Sequence, residues 1–266
     1  MRALILAAGE GTRLRPLTLK CPKPMLSVGG VPLLEHIFRW LRGHGVTQVA
    51  INLHHLPWVI TDHVGDGARF GLSVTYSPEN PILGSAGAAR KLEWSLADTF
   101  LVVYGDMLVD VSLEPLLEIH RRHHAQLTLG LMRTEDPFSK GIAQLEAAGR
   151  VVRFIEKPRP GEIESDLASA GVFVAEPSIL SRIPAGSYYD FGHDLIPRLI
   201  EESVPVFGQL LDGYLLDIGT PEAYEKAQRD VAKLGRFWAG EVGAGGSRGT
   251  QPPRHQGTNE NSGQDY

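Results

Sequence analysis

The sequence predicts an α/β fold: a mostly parallel (mixed) central sheet with helices on both faces and a small β-rich lobe. Three observations predict it. Short apolar runs of strand length alternate with stretches of helical apolar periodicity. The alternation gives way to β-rich sequence from about residue 142. No linker or compositional break appears before residue 234, so the lobe is read as part of one domain over residues 1–234. Strands alternating with helices imply βαβ units, whose crossovers make neighbouring strands parallel. In such sheets ligands sit beyond the carboxyl ends of the strands, so chemistry is expected in the loops that follow them.

The elements follow in order. Residues 2–8 form the first strand, and 3–8 within it the first apolar run. Leu33, Ile37 and Leu41 recur every four residues and predict a helix, which Gly43 and Gly45 stop. Residues 48–53 and 72–77 are the next two strands. Ala88, Leu92 and Leu96 repeat the helical spacing after Gly84-Ser85, and residues 100–104 read as a further buried strand. Leu113, Leu116 and Leu117 follow Ser112, a suitable N-cap, and residues 126–131 return to strand. Residues 142–145 and 151–156 flank Ala148-Gly149, a hairpin signal. A strand over 167–175, helical patterns over 177–183 and 194–201, and strands over 206–210 and 214–218 complete the lobe. Thr220 as cap and Pro221 at the first helical position open a last helix, with Ala223, Ala227 and Val231 as its buried face.

Beyond Leu234 the sequence is dominated by Gly, Ser, Pro, Gln, Asn and Arg. Such sequence cannot bury enough apolar area to offset its ordering entropy, so 235–266 is expected to be a disordered C-terminal tail. Truncation after Leu234 is therefore expected to leave melting temperature and activity nearly unchanged. A large loss of either, by thermal melt or turnover assay, would show that the tail docks through Phe237 and Trp238.

Composition narrows the function classes. Of 266 residues, 42% are apolar and 21% charged, an ordinary soluble composition. The net charge of -5 argues against nucleic-acid binding, which needs a basic footprint. The single cysteine, Cys21, excludes an intramolecular disulfide and a four-cysteine zinc site. No apolar run approaches the ~18 residues of a membrane span. The first run has only Arg2 before it and is too short for a signal-peptide core. Small-molecule substrates in a reducing, cytoplasmic setting are expected, with neither nucleic acid nor membrane as partner.

The most informative motif follows the first strand: Gly9-Glu10-Gly11-Thr12-Arg13-Leu14. A glycine-rich loop leaving a strand brings backbone N–H groups close to phosphate oxygens, and a guanidinium grips phosphate through two bonds. It lacks the third glycine of a dinucleotide fingerprint and the Gly-Lys-Ser/Thr of a Walker loop. Taken alone, it also reads as a turn with a surface arginine. Pro22-Lys23-Pro24 holds Lys23 on a stiff segment, either as a second phosphate cation or as a solvated loop lysine. The strand over 100–104 ends in Gly105-Asp106, a carboxylate at the sheet edge of the kind that suits Mg²⁺ on a nucleotide phosphate. Asp217, just before the last helix, offers a second carboxylate or a turn cap. Glu156-Lys157-Pro158 ends a strand with an acid and a base side by side, facing a site or solvent. His120, His123 and His124, beside Arg121 and Arg122, read as a solvated helix face, and His54-His55 lacks a third ligand. Cys21 has no evident base partner, and no Gly-x-Ser-x-Gly nucleophile elbow occurs.

Together these segments, with Gly84-Ser85-Ala86-Gly87 and Leu216-Asp217-Ile218-Gly219-Thr220-Pro221, resemble the sugar-1-phosphate nucleotidyltransferases, or nucleotide-sugar pyrophosphorylases. The look is nearest to mannose-1-phosphate guanylyltransferases. The resemblance spans residues 1 to about 230 in the family's order. It implies a Rossmann-like fold with a sugar-binding lobe. It implies a reaction that joins a nucleoside triphosphate and a sugar 1-phosphate and releases pyrophosphate. It implies nucleotide binding by Leu6, Ala8, Gly9, Gly11, Arg13, Lys23, Gly84, Ser85 and Gly105. Arg13, Lys23 and Asp106 would be catalytic, and Asp106 with Asp217 would hold Mg²⁺. Gly141, Glu156, Lys157 and Gly171 would line the sugar-phosphate pocket. GTP and mannose 1-phosphate are the favoured pair; uridylyl- and thymidylyltransferases for glucose 1-phosphate are close relatives. Ser169-Ala170-Gly171 stands where many relatives have Asn-Ala-Gly or Thr-Gly.

The residues agree chemically with that reaction. A phosphate monoester has its second pKa at ~6, so the nucleophile is already largely ionised and no protein base is required. A non-catalytic nucleotide-sugar-sensing paralogue would be marked by lost cations or carboxylates, yet Arg13, Lys23, Asp106, Lys157 and Asp217 are all present. A glycosyltransferase would want an Asp-x-Asp at the strand end, where Asp110 comes four residues after Asp106. Many guanylyltransferases add a C-terminal left-handed β-helix; no hexapeptide array follows here, which leaves a homo-oligomer open.

Overall fold

A computed structural model of the protein describes residues 1–233; the expected tail over 235–266 lies outside the described residues. Strand β1 (Arg2–Leu6) starts the sheet, and β2 (Ser27–Val28) and β3 (Val31–Pro32) form a small ribbon. Helix α1 (Leu33–Gly43), β4 (Gln48–Leu53), α2 (Pro57–Val64) and β5 (Ser73–Pro78) follow. Then come α3 (Gly84–Lys91), β6 (Phe100–Tyr104), β7 (Met107–Val111) and α4 (Glu114–Arg122). The β-rich part comprises β8 (Leu127–Arg133), β9 (Gly141–Leu145), β10 (Val151–Glu156) and β11 (Leu167–Ala175). Helix α5 (Ile196–Glu201), β12 (Val206–Leu210), β13 (Gly213–Asp217) and α6 (Pro221–Asp230) complete the fold.

Nine strands make one mixed sheet in the order β10-β9-β11-β6-β1-β4-β5, with β8 paired to β11 and β12. The β6-β1-β4-β5 half is parallel, as alternation with helices requires. Beyond β6 the sense changes: β11 runs antiparallel to β6 and β8, and β9–β10 is an antiparallel hairpin on the edge. The β-rich lobe is thus a continuation of the same sheet.

The strands of the centre are apolar on both faces because helices cover both. Ala3, Ile5, Val49 and Ile51 pack with Leu34, Ile37, Phe38 and Leu41 of α1, while Leu4, Ala50 and Val102 pack with Ala86, Ala89 and Leu199. Each Leu or Ile side chain so buried contributes about 1.5–3 kcal/mol. Thr220 caps α6 by accepting from the Ala223 N–H at 3.2 Å; of the expected face, Ala227 is buried and Ala223 and Val231 are only half-buried.

Four of these elements were not expected: α2, β7 and the short strands β2 and β3. The histidine run also differs from expectation. His120 is buried (3% exposed), its Nδ1 hydrogen-bonded with Thr128 Oγ1 and its Nε2 with Glu176 Oε1. It lies one helical turn after Leu116 and shares its inward face. Among the described residues no helix is long and apolar enough to cross a membrane.

Candidate active site

Register fixes which residues meet. Leu6 lies opposite both Asn52 and Tyr104, so the glycine loop, Asn52 and Gly105-Asp106 leave the sheet at one edge. The Gly105 N–H donates to the Leu6 carbonyl at 2.9 Å. The Ala7 N–H donates to Asn52 Oδ1 (2.7 Å), Asn52 Nδ2 donates to Glu79 Oε1 (2.9 Å), and the Leu83 N–H donates to Glu79 Oε2 (2.9 Å). Asn52 and Glu79 are 2% and 4% exposed. This buried relay ties the end of β1 to the approach of α3. The signal for it was Asn52 itself, the polar residue in the apolar run Val49-Ala50-Ile51-Asn52-Leu53. Asn52→Leu leaves the Ala7 N–H and Glu79 Oε1 unpaired and is expected to cost about 3 kcal/mol of stability. A denaturant midpoint unchanged from the parent would show that the relay bears no load.

A pocket of about 70 Å³ opens here, lined by Leu6, Gly9, Gly11, Lys23, Gly105 and Asp106 among others. Five of the nine expected nucleotide residues are thereby brought together. Ala8 is buried beside them without lining the pocket. Gly84 and Ser85 stand apart from it. Ser85 Oγ donates to Asp190 Oδ2 at 2.6 Å and accepts from the Phe191 N–H at 2.8 Å.

Strands β7 and β13 pair antiparallel with Asp217 opposite Met107, and the Ile218 N–H donates to the Asp106 carbonyl at 3.0 Å. This is what sets the two carboxylates side by side. Lys23, on a turn bracketed by Pro22 and Pro24, donates to Asp106 Oδ2 at 2.5 Å and stands 3.8 Å from Asp217 Oδ1. Gly219 has no room for a side chain: a Cβ there would lie 2.6 Å from Arg13 Nη2 and 2.8 Å from Asp217 Oδ1. Four charged groups converge around that gap. Burial, then the neighbouring Asp106 charge, raises the Asp217 carboxyl above its ordinary value, and Lys23 offsets this only in part. Arg13 makes no hydrogen bond or ion pair with a described residue, so its guanidinium is open to an anion.

A larger cavity of about 340 Å³ shares Asp106 with the first pocket and is also lined by Arg13 and Asp217. Gly141, Glu156, Lys157 and Gly171 all line it. Lys157 adopts a left-handed φ of 50°, which breaks strand alternation and lets it share a cavity with its neighbour Glu156. Glu156 Oε2 sits where a Cβ on Gly141 would come within 2.5 Å, so the carboxylate fills the space that glycine leaves. Burial raises the Glu156 carboxyl, and Lys157 partly counters it. Lys140, Tyr188, Asp190 and His193 line the same cavity and were missed by sequence reasoning. Asp190 had a signal. Its Oδ1 accepts from the Gly192 and His193 N–H groups, while Asp194 Oδ2 accepts from the Asp190 N–H at 2.7 Å, a reciprocal cap spelled Asp-x-x-x-Asp.

The Glu156 shift has a consequence for stability. A carboxyl raised on folding binds its proton more tightly in the native state, so its contribution is full below its ordinary 4.5 and is lost as pH rises through the folded value. Glu156→Gln removes that loss. Its melting temperature is expected to exceed the parent's at neutral pH and to converge with it in acid. A variant less stable than the parent at neutral pH would overturn the assignment.

Over residues 2–233 the sequence matches the family model described as Nucleotidyl transferase. The chain belongs to this family. The chain is 36% identical over 246 residues to a UTP–glucose-1-phosphate uridylyltransferase of Synechocystis sp., covering 87% of the chain and 63% of that protein. It is 34% identical over 233 residues to a mannose-1-phosphate guanylyltransferase of Mycobacterium tuberculosis, covering 87% and 64%. The chain thus spans just under two thirds of the length of these curated relatives. A putative glucose-1-phosphate thymidylyltransferase from Bacillus anthracis, 23% identical, shares the fold with a TM-score of 0.79 over 89% of this chain and 98% of that one. HddC from Yersinia pseudotuberculosis complexed with GMP-PN is 25% identical, with a TM-score of 0.74 over 86% and 99%.

Proposed function

We propose that this nucleotidyl transferase joins a nucleoside triphosphate to a sugar 1-phosphate, giving a nucleotide-sugar and pyrophosphate, with GTP and mannose 1-phosphate as its pair. One observation carries the reading: Asp106 lines both cavities, with Lys23 on one side and Arg13 and Asp217 on the other. Two anionic substrates seated in the two cavities would meet where cations and carboxylates converge. In this reading the glycine loop and Lys23 take the triphosphate, Arg13 neutralises charge on the departing pyrophosphate, and Lys157 takes the sugar phosphate. Glu156 accepts from sugar hydroxyls. The sugar-phosphate oxygen is ionised at neutral pH and needs no base. The protein aligns two anions and offsets their repulsion.

The donor set fits Mg²⁺. Two carboxylates, repelling each other and only partly balanced by Lys23, invite a cation. Among the described residues no cluster of three or more His, Cys, Asp or Glu side chains could hold a metal. Asp106 and Asp217 would hold Mg²⁺, a hard cation suited to carboxylate oxygens. Bound there, the ion would supply charge stabilisation for the phosphoryl oxygens.

The uridylyltransferase relative, at 36% identity, favours a second pair, UTP with glucose 1-phosphate. The M. tuberculosis relative supports the first pair. Small molecules in the cytoplasm are the expected partners, in keeping with the free thiol of Cys21. Pyrophosphate release over the four nucleoside triphosphates and a panel of sugar 1-phosphates decides between the pairs. No release with any combination would overturn the proposed activity.

A further inference from the structure

A third cavity lies at the opposite end of the sheet. It measures about 760 Å³, within the range of small-molecule sites. Thr99 precedes β6, Gln126 precedes β8 and Glu176 follows the antiparallel β11, and all three line it. It therefore opens at the amino end of β6, roughly 17 Å along that strand from Asp106.

Its wall is organised by a carboxylate. Thr99 Oγ1 donates to Glu176 Oε1 at 2.6 Å, and His120 Nε2 bonds the same oxygen at 3.0 Å. His120 is itself held by Thr128 on its other nitrogen. Every bond to the Glu176 carboxylate falls on Oε1, so Oε2 is without a partner among the described residues. Arg121 and His124 line the same cavity, and neither side chain has a hydrogen bond or ion pair with a described residue. Leu117, Ala125 and Pro177 supply apolar wall.

A carboxylate oxygen without a partner, lining one cavity with a guanidinium and an imidazole whose side chains are unpaired among the described residues, is the complement of a molecule with an anionic group and hydroxyls. We propose that this cavity is a second ligand site for a phosphorylated, polyhydroxylated small molecule of the sugar-phosphate class. The phosphate lies on Arg121 and His124, and a hydroxyl donates to Glu176 Oε2. The site is separate from the cavities that share Asp106, and the proposal stands whichever substrates those take.

The test is isothermal titration of the full chain with glucose 6-phosphate, inorganic phosphate and glucose, with the His124 ring resonances followed in parallel. Glucose 6-phosphate carries its phosphate away from the anomeric carbon. Saturable binding is expected, with the His124 signals shifted. It should weaken about tenfold or more in Arg121→Ala and persist in Lys157→Ala. Because Arg121 is exposed, a parallel melt of that variant should match the parent. Equal affinity for inorganic phosphate would overturn the sugar-phosphate assignment. No saturable binding up to about 10 mM would overturn the site itself. So would binding indifferent to Arg121→Ala, or binding abolished by Lys157→Ala, which would put the ligand in the other cavity.

Discussion

Asp106→Asn is expected to lower kcat by about 10²–10³-fold while leaving the fold intact, because the cation that would offset charge on the transferring phosphoryl group loses one of its two proposed carboxylates. The substitution keeps an oxygen that can accept from Lys23 and removes only the charge. Lys23 retains Asp217 at 3.8 Å, so its ammonium is not stranded and the melting temperature should barely move. The lost charge is the one common to both cavities. Chelation should abolish parent activity and added Mg²⁺ should restore it, while the variant should need more Mg²⁺ for its residual rate. Steady-state kinetics at several metal concentrations read all three. Near-normal turnover in Asp106→Asn would remove Asp106 from the proposed machinery.

Lys157→Ala and Arg13→Ala are expected to fail in different ways. Lys157, on the far strand end of β10, should chiefly set the KM for sugar 1-phosphate. Arg13 follows the glycine loop and has no partner among the described residues, so its guanidinium should act most on charge that grows in the transition state, and its loss should fall mainly on kcat. A charge-assisted contact is worth ~1.5–3 kcal/mol, hence roughly ten- to a hundredfold in each constant. Varying each substrate in turn separates the two effects. If Lys157→Ala left the sugar-phosphate KM unaltered and weakened only nucleotide binding, the proposed division of the cavities would fail, and the sugar-side role of Glu156 with it.

Local pattern made much of this fold legible. The strands at 48–53, 100–104, 167–175 and 206–210 were placed to the residue, because each is a mostly apolar, mostly buried run of strand length. Strand β7 was not, because its partner β13 lies about a hundred residues away and the buried Asp110 interrupts its apolar run. Nothing local marks such a pairing. At the site, Arg13, Lys23, Asp106 and Asp217 announced themselves by type and position. Asn52 and Asp190 left only local cues, a polar residue in an apolar run and a paired aspartate, and Glu79 left none; their importance appears only when distant loops are brought together. His120 was misplaced for the converse reason: charged neighbours on the sequence hid the fact that it faces inward with Leu116.

The relay from Ala7 through Asn52 and Glu79 to Leu83 bears on how such a sequence can drift. A mutation at either side chain alone strands a buried polar partner, so the first step of any exchange passes through a poorly folded ancestor. Coupled sites of this kind are inherited as a pair or replaced as a pair. In a lineage descending from this protein, positions 52 and 79 should therefore change together, and the glycine loop and the start of α3 should evolve as one unit although about seventy residues separate them in the chain.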